Sequence, residues 1–378
     1  MTQTLEQTRF SAPQPDRGTT LSEEQEGAPP IGPLGKAFLD GLCRARLLQS
    51  EQVLSFLQAH ADRLAKFDDA EALGNALVDV GLLTEYQLDR VLAGTGHGLV
   101  LGNHRVLARL GAGGMGVVFL AEHIFMKRRV AVKVLRVDDS CPAAAVERFY
   151  SEMHVLAELH HPNIVMAFDA GKLPGPAPGL PTLLYLVMEM VSGGDLEQHV
   201  LENGPAGIPE ACDWICQAAC GIQEAHDNQL IHRDIKPSNL LRTGSGQIKV
   251  VDFGLVRQFS NRITDPNCLL GTVEFMAPEQ SDDAGEVGSQ ADIYGLGATL
   301  FWLLTGQTPF PPSRSLVEAV RMMHEGHPRR LREFRPEAPP ELEALIDRML
   351  HRDPMCRPAL PLTVMRALRP FCQPARVE

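Results

Sequence analysis

Ile231-His232-Arg233-Asp234-Ile235-Lys236-Pro237-Ser238-Asn239 sets a carboxylate, an ammonium and an amide within six positions, and Asp252-Phe253-Gly254 follows about a dozen residues later. A group that accepts a hydroxyl proton, one that holds a phosphate and two oxygen donors for a hard cation are what phosphoryl transfer needs. The rest of the chain reads as machinery serving this loop.

Composition sets the limits within which that loop is read. With 378 residues and 44% apolar content, the chain can bury a full core and fill two or three domains. A net charge of -12 argues against a nucleic-acid surface as the main function. Eight cysteines without a C-x-x-C pair suggest neither a zinc knuckle nor a disulfide framework, and reduced thiols in a cytoplasmic protein are the simplest reading. Cys212, Cys216 and Cys220 recur every four residues, as small buried residues of one helix face do. No apolar run reaches the roughly 20 residues of a bilayer span, and no signal-peptide core is present, so no membrane partner is expected.

Upstream of the central loop, residues 1–33 have the composition of a disordered tail. Helical spacing begins near Leu34, and Leu47-Leu48-Gln49-Ser50-Glu51-Gln52-Val53 is echoed 35 residues later by Leu82-Leu83-Thr84-Glu85-Tyr86-Gln87-Leu88. Ser50 or Thr84 can cap the helix that starts there, so residues 34–96 are expected to form a small module of three to five helices. Paired amphipathic helices serve equally as a packing appendage or as a docking or dimerisation surface for a partner. Gly94 to Gly98 reads as a flexible hinge after the module.

A β-rich region follows. Strand Val106–Leu110 leads into Gly111-Ala112-Gly113-Gly114-Met115-Gly116 and then Val117-Val118-Phe119-Leu120-Ala121. A dinucleotide-binding fold needs a helix after its glycines, whereas a β-branched strand stands here, which favours a glycine-rich hairpin with amides free to approach phosphates. Lys133 is a charge inside the apolar strand Val130–Val134. The helix from about Ala143 to Leu159 buries Phe149, Met153, Leu156 and Leu159, with Glu152 beside that face and able to meet Lys133. A strand runs to about Lys172, then a Pro/Gly loop spans Leu173–Pro181, and Leu183–Met190 is a further strand ending at Gly193-Gly194. Helical spacing dominates afterwards, at 209–227, 289–305, 315–325 and 340–350.

Taken together, Gly111-x-Gly113-x-x-Gly116-x-Val118, Val130-Ala131-Val132-Lys133, His232-Arg233-Asp234, Asn239, Asp252-Phe253-Gly254 and Ala277-Pro278-Glu279 resemble the signature set of the eukaryotic-like Ser/Thr protein kinases, particularly those of bacteria. The resemblance covers residues 104–370. It implies an α+β two-lobed protein kinase fold, with a β-rich N-lobe at 104–191 and a helical C-lobe at 192–370, preceded by the small α-helical module and followed by a tail at 371–378. It implies ATP and Mg²⁺ as cofactors and a protein as substrate, with no nucleic acid involved. Asp234 would take the hydroxyl proton, and Lys236 would neutralise the transferring phosphate. Asn239 and Asp252 would ligate the cation, and Lys133, fixed by Glu152, would hold the α- and β-phosphates. The residues from Leu110 through Gly116, with Val117 and Val118, would cover the nucleotide. Ala131 and Leu241 would wall the adenine, with Met188 as gatekeeper and Glu189 to Val191 as hinge. Thr264, then Ser260, are the expected phosphosites of the activation segment, and Thr272 its structural threonine. Glu279 with Arg357 would form a buried ion pair, and Asp292 would cap the catalytic-loop backbone.

Overall fold

The computed structural model describes residues 32–62, 67, 69–113, 116–138, 141, 143–253, 273–281, 287–313 and 315–372. These divide into two compact units, one made of the residues up to Ala108 with Glu122–Lys127, the other of Arg109–Ala121 and the residues from Arg128 onward.

The first unit opens with four helices, α1 (Pro33–Arg44), α2 (Ser50–Ala59), α3 (Ala70–Asp79) and α4 (Glu85–Leu92). The 35-residue echo is a repeated helix–turn–helix. The amides of Leu47 and Leu48 both bond Leu42 O, and 35 positions on, Leu82 and Leu83 both bond Leu77 O. Each turn carries one left-handed residue, Arg46 at φ 58 and Gly81 at φ 75. The second helix of each half starts on the same cap. Gln52 Oε1 accepts from Gln49 N at 3.0 Å, and Gln87 Oε1 from Thr84 N at 2.9 Å. The first cap is therefore Gln49 and not Ser50, which lies one turn position inside the helix. Leu39, Leu42, Leu73 and Leu77 are fully buried and supply the module's core. Within Gly94–Gly98, expected as a hinge, Arg90 bonds the carbonyl and hydroxyl of Thr95 and Leu99 N closes on Gly96 O.

Strands β1 (Val100–Leu101), β2 (His104–Gly113), β3 (Gly116–His123), β4 (Arg129–Val137), β5 (Ala167–Leu173) and β6 (Thr182–Glu189) form a sheet in the order β1-β2-β3-β4-β6-β5. β-Branched residues alternate along β4 at Val130, Val132 and Val134, and register pairs Lys133 with Leu186 and Ala131 with Met188 on β6. Helix α5 (Ala143–Glu158) presents Phe149, Met153 and Leu156 to the same core as β4 and β6.

The helical part comprises α6 (Leu196–Asn203), α7 (Ile208–Asp227), α8 (Gln290–Thr305), α9 (Leu316–Glu325), α10 (Leu331–Phe334), α11 (Pro340–Met349) and α12 (Pro361–Leu368), with a hairpin of β7 (Leu240–Arg242) and β8 (Ile248–Val250). Helix α8 is buried on every side, as its near-continuous apolar sequence requires. Cys212 is buried on α7, and Cys216 and Cys220 of the same face meet Met365. Phe371 and Cys372, expected in a tail, pack against this core instead, Cys372 lying 3.5 Å from Cys216 Sγ. Among the described residues no helix is long and apolar enough to cross a membrane.

Glu279 and Arg357 form a bidentate pair at 2.6 and 2.8 Å. The Arg357 side chain is wholly buried, and its remaining donors reach the carbonyls of His351, Arg352 and Gln290. Glu279→Ala would strand this guanidinium. It is expected to lower the unfolding free energy by about 3–5 kcal/mol, read from the urea midpoint at unchanged m; a loss below about 1 kcal/mol would contradict the assignment.

Candidate active site

The central loop is built around a buried carboxylate. Asp292, on the first turn of α8 and 1% exposed, accepts His232 N at 2.9 Å and His226 Nε2 at 2.7 Å through Oδ2, and Arg233 N at 2.7 Å through Oδ1. These bonds hold Arg233 at φ 63, a left-handed conformation costly for a side chain with Cβ. Gln280 donates to Arg233 O at 2.8 Å and so ties the same residue to the segment after Ala277-Pro278-Glu279. His232 is buried. Its Nε2 lies 2.7 Å from Val251 O and its Nδ1 accepts from Asp234 N, which fixes the proton on Nε2. Phe253 packs on the imidazole with ring centroids 4.8 Å apart.

Asp234 therefore points from a clamped backbone. Its Oδ2 receives Lys236 Nζ at 2.9 Å and Asn239 Nδ2 at 3.1 Å, and Asn239 also donates to Asp234 O at 2.7 Å. Because the amide nitrogen of Asn239 is committed to Asp234, its oxygen is the atom left for a cation. Val251 N bonds Asn239 O, which sets Asn239 and Asp252 on neighbouring stretches of chain. Asp252 stands at φ 59, and its Oδ1 meets Lys133 Nζ at 2.9 Å. Lys133 is 5% exposed on β4, so an ammonium there requires a carboxylate or phosphate beside it.

The structure thus unites Lys133, Asp234, Lys236, Asn239 and Asp252. It does not bring Glu152 to Lys133: among the described residues, the carboxylate within ion-pair distance of Lys133 is Asp252. Glu152 lies half-buried on α5. Ala131 and Met188 are buried, Val118 and Leu241 are half-buried against the same core, and Leu110 is exposed. Glu189 N is committed to Met166 O at 2.9 Å, so the free hinge donor must come from farther along, toward Val191. In the glycine-rich hairpin, Gly111, Ala112 and Gly113 end β2 and Gly116 to Val118 begin β3. Gly116 has φ 138, and a Cβ there would lie 2.6 Å from Val134 O. At Gly111, by contrast, a Cβ would meet nothing within 4 Å, so open space remains beside that backbone. Gly114, Met115, Gly254, Ser260, Thr264 and Thr272 lie outside the described residues. The oxygen donors at Asn239 and Asp252, with the buried Lys133 ammonium paired to Asp252, fit a hard divalent cation and a polyphosphate.

Two contributors were missed in the sequence. Lys249 on β8 pairs with Glu189 of the hinge at 2.9 Å, and Gln280 bridges to Arg233. Lys249 carries the signal that singled out Lys133, a charge between apolar strand neighbours. Gln280 has none, since its partner is a backbone carbonyl.

Burial pushes the His232 imidazole below its ordinary pKa of 6.5, against the pull of Asp292. The folded state thus stays unprotonated while the unfolded chain takes up a proton, so this residue's contribution to stability is present above 6.5 and is lost as pH falls below it. In histidine-labelled protein, the ¹⁵N signals of His232 should keep the neutral Nε2–H pattern on acidification through pH 6.5. Protonation at or above 6.5 would overturn the reading.

A family model described as "Protein kinase domain" matches residues 104–368. The serine/threonine-protein kinase PrkC of Bacillus subtilis is 37% identical over 259 residues, which are 68% of this chain and 39% of that protein. PknB of Mycobacterium tuberculosis is 36% identical over 219 residues, 57% of this chain and 34% of that protein. This chain therefore spans under half the length of these curated relatives. Among solved structures, the kinase domain of M. tuberculosis PknI superposes with a TM-score of 0.57 at 27% identity, covering 73% of this chain and 98% of that one.

Proposed function

Because the chain belongs to the protein kinase domain family, we propose that it transfers the γ-phosphate of ATP to serine and threonine hydroxyls of proteins, in the cytoplasm and as part of a signalling response. The observation that carries this reading is Asp234, buried, with Lys236 Nζ and Asn239 Nδ2 on one carboxylate oxygen and the Lys133–Asp252 pair as the other half of the site. The family's catalytic domain in this proposal spans 104–370.

Each residue has a task set by its surroundings. Asp234 accepts the hydrogen bond of the incoming hydroxyl and takes its proton as the new bond to phosphorus forms. Lys236, already at the carboxylate, supplies positive charge where the transferring phosphate gathers negative charge. Lys133 exchanges its carboxylate partner for phosphate oxygens, and Glu152 steadies it if α5 moves inward. Asn239 and Asp252 offer oxygens to Mg²⁺, which when bound neutralises phosphate charge. Ala131, Val118, Leu110 and Leu241 enclose the adenine beside Met188, and Val191 supplies the hinge amide. Serine/threonine specificity is carried over from the relatives' names and from the lysine at 236.

In a radiolabelled transfer assay on a generic basic protein, Asp234→Asn should reduce phosphate incorporation by at least about 10²-fold, the lower end of what a positioned base contributes. Equal incorporation by both proteins, or none by wild type, would sink the enzymatic reading. Mass spectrometry of the chain incubated with ATP should find phosphate on Thr264 or Ser260, where Arg233 could receive it. An unmodified 254–272 segment in an otherwise active enzyme would remove the proposed switch.

A further inference from the structure

Building on ATP use by this site, we propose that the N-terminal helical module positions the strand that delivers the glycine-rich hairpin, with Gln87 and Thr84 as the positioning residues. Strand β1 has only two residues and pairs with β2 no farther than Arg105, after which Val106 N reaches back to Leu99 O. The next two carbonyls of β2 are taken by the module. Gln87 Nε2 donates to Val106 O at 2.6 Å, and Thr84 Oγ1 donates to Leu107 O at 2.6 Å. From Leu107 the strand runs on through Ala108, Arg109 and Leu110 to Gly111.

Every polar atom of this contact is committed. Gln87 is 1% exposed, and while its Nε2 holds the strand its Oε1 accepts Thr84 N. Thr84 Oγ1 in turn accepts Gln87 N at 3.2 Å while donating to Leu107. Rotation of either side chain would leave buried groups unpaired, which costs about 1–3 kcal/mol for each. The other half of the repeat holds the preceding residue, for Arg105 Nη1 donates to Leu47 O at 2.8 Å, and Arg105 also meets Glu122 at 3.3 Å. Three consecutive residues of β2 are thus fixed by the module, four residues before the phosphate-binding glycines begin.

The repeat supplies its own control. Gln52 makes the same backbone cap as Gln87, but at the surface and, among the described residues, with no strand carbonyl attached. If Gln87 served only as a helix cap, the two positions would respond alike. If it positions the strand, they diverge, and Gln87→Glu separates the roles: it retains the acceptor for Thr84 N but turns the strand-facing donor into an acceptor aimed at a carbonyl.

The test uses the full chain with Gln87→Glu, Thr84→Val, Thr84→Ser and Gln52→Ala. It measures KM for ATP, KM for a peptide, binding of a fluorescent ADP analogue, and amide hydrogen exchange over residues 107–113. Gln87→Glu and Thr84→Val should weaken ATP and analogue binding about tenfold, equivalent to about 1.4 kcal/mol, and speed exchange over 107–113, while peptide KM stays within twofold. Thr84→Ser, which keeps both bonds, and Gln52→Ala should match wild type. If Gln87→Glu does not fold, the contrast between Thr84→Val and Thr84→Ser decides alone. Equal nucleotide binding and exchange in the Gln52 and Gln87 variants would overturn the proposal. A protein that transfers no phosphate yet shows the analogue and exchange differences would defeat only the kinase reading.

Discussion

Asp292 is a charge placed inside the most apolar of the described helices, and the loop from Ile231 to Asn239 takes its shape from the way that charge is satisfied. A carboxylate removed from water costs several kcal/mol unless hydrogen bonds replace its hydration. Here the replacements are two consecutive backbone amides, His232 N and Arg233 N, together with the His226 ring. Two successive amides can converge on one carboxylate only if the chain bends sharply, and the left-handed φ of Arg233 is that bend. Asp234 follows immediately, so its direction is inherited from a bond made two residues earlier. The Asp234 carboxylate is therefore held in place for a reason that lies in helix α8, 58 positions downstream in sequence (292 − 234).

Much of this arrangement is legible in the sequence. Gly-x-Gly-x-x-Gly before a β-branched strand, a lysine inside an apolar strand, and the Asp234, Asn239 and Asp252 spacing fix residue types that phosphate and cation chemistry demands, and the structure pairs Lys133 with Asp252 and sets Lys236 and Asn239 on Asp234. Elements with strong period were legible to within a residue or two: the helix expected at 209–227 is Ile208–Asp227, and that at 340–350 is Pro340–Met349. Helix α6, with eight residues, and the three-residue strands β7 and β8 escaped, because such short elements are stabilised by their neighbours more than by their own pattern.

What the sequence could not supply were pairings chosen among near-equals. Glu147, Glu152 and Glu158 all lie on α5, and Asp252 lies on a different segment; which carboxylate meets Lys133 depends on how α5 sits against β4, a question of packing. The cap at Gln49 was missed for a related reason. Serine is the better capping residue by propensity, but the 35-residue register aligns Gln49 with Thr84, and backbone geometry follows register. Gln87 likewise looks like an ordinary helix-start residue until the strand beside it is seen.

The Glu279–Arg357 pair joins residues 78 positions apart. During synthesis at about 5–20 residues per second, Glu279 waits on the order of 4–16 s before its partner has been added. Throughout that interval the loop from His232 to Asn239 has long been made, while the segment that follows residues 254–272 lacks its anchor. Chain growth therefore imposes an order of assembly: Asp234, Lys236, Asn239 and Asp252 are all made first, and the platform at Glu279 is fastened last, when little of the described chain remains to be translated.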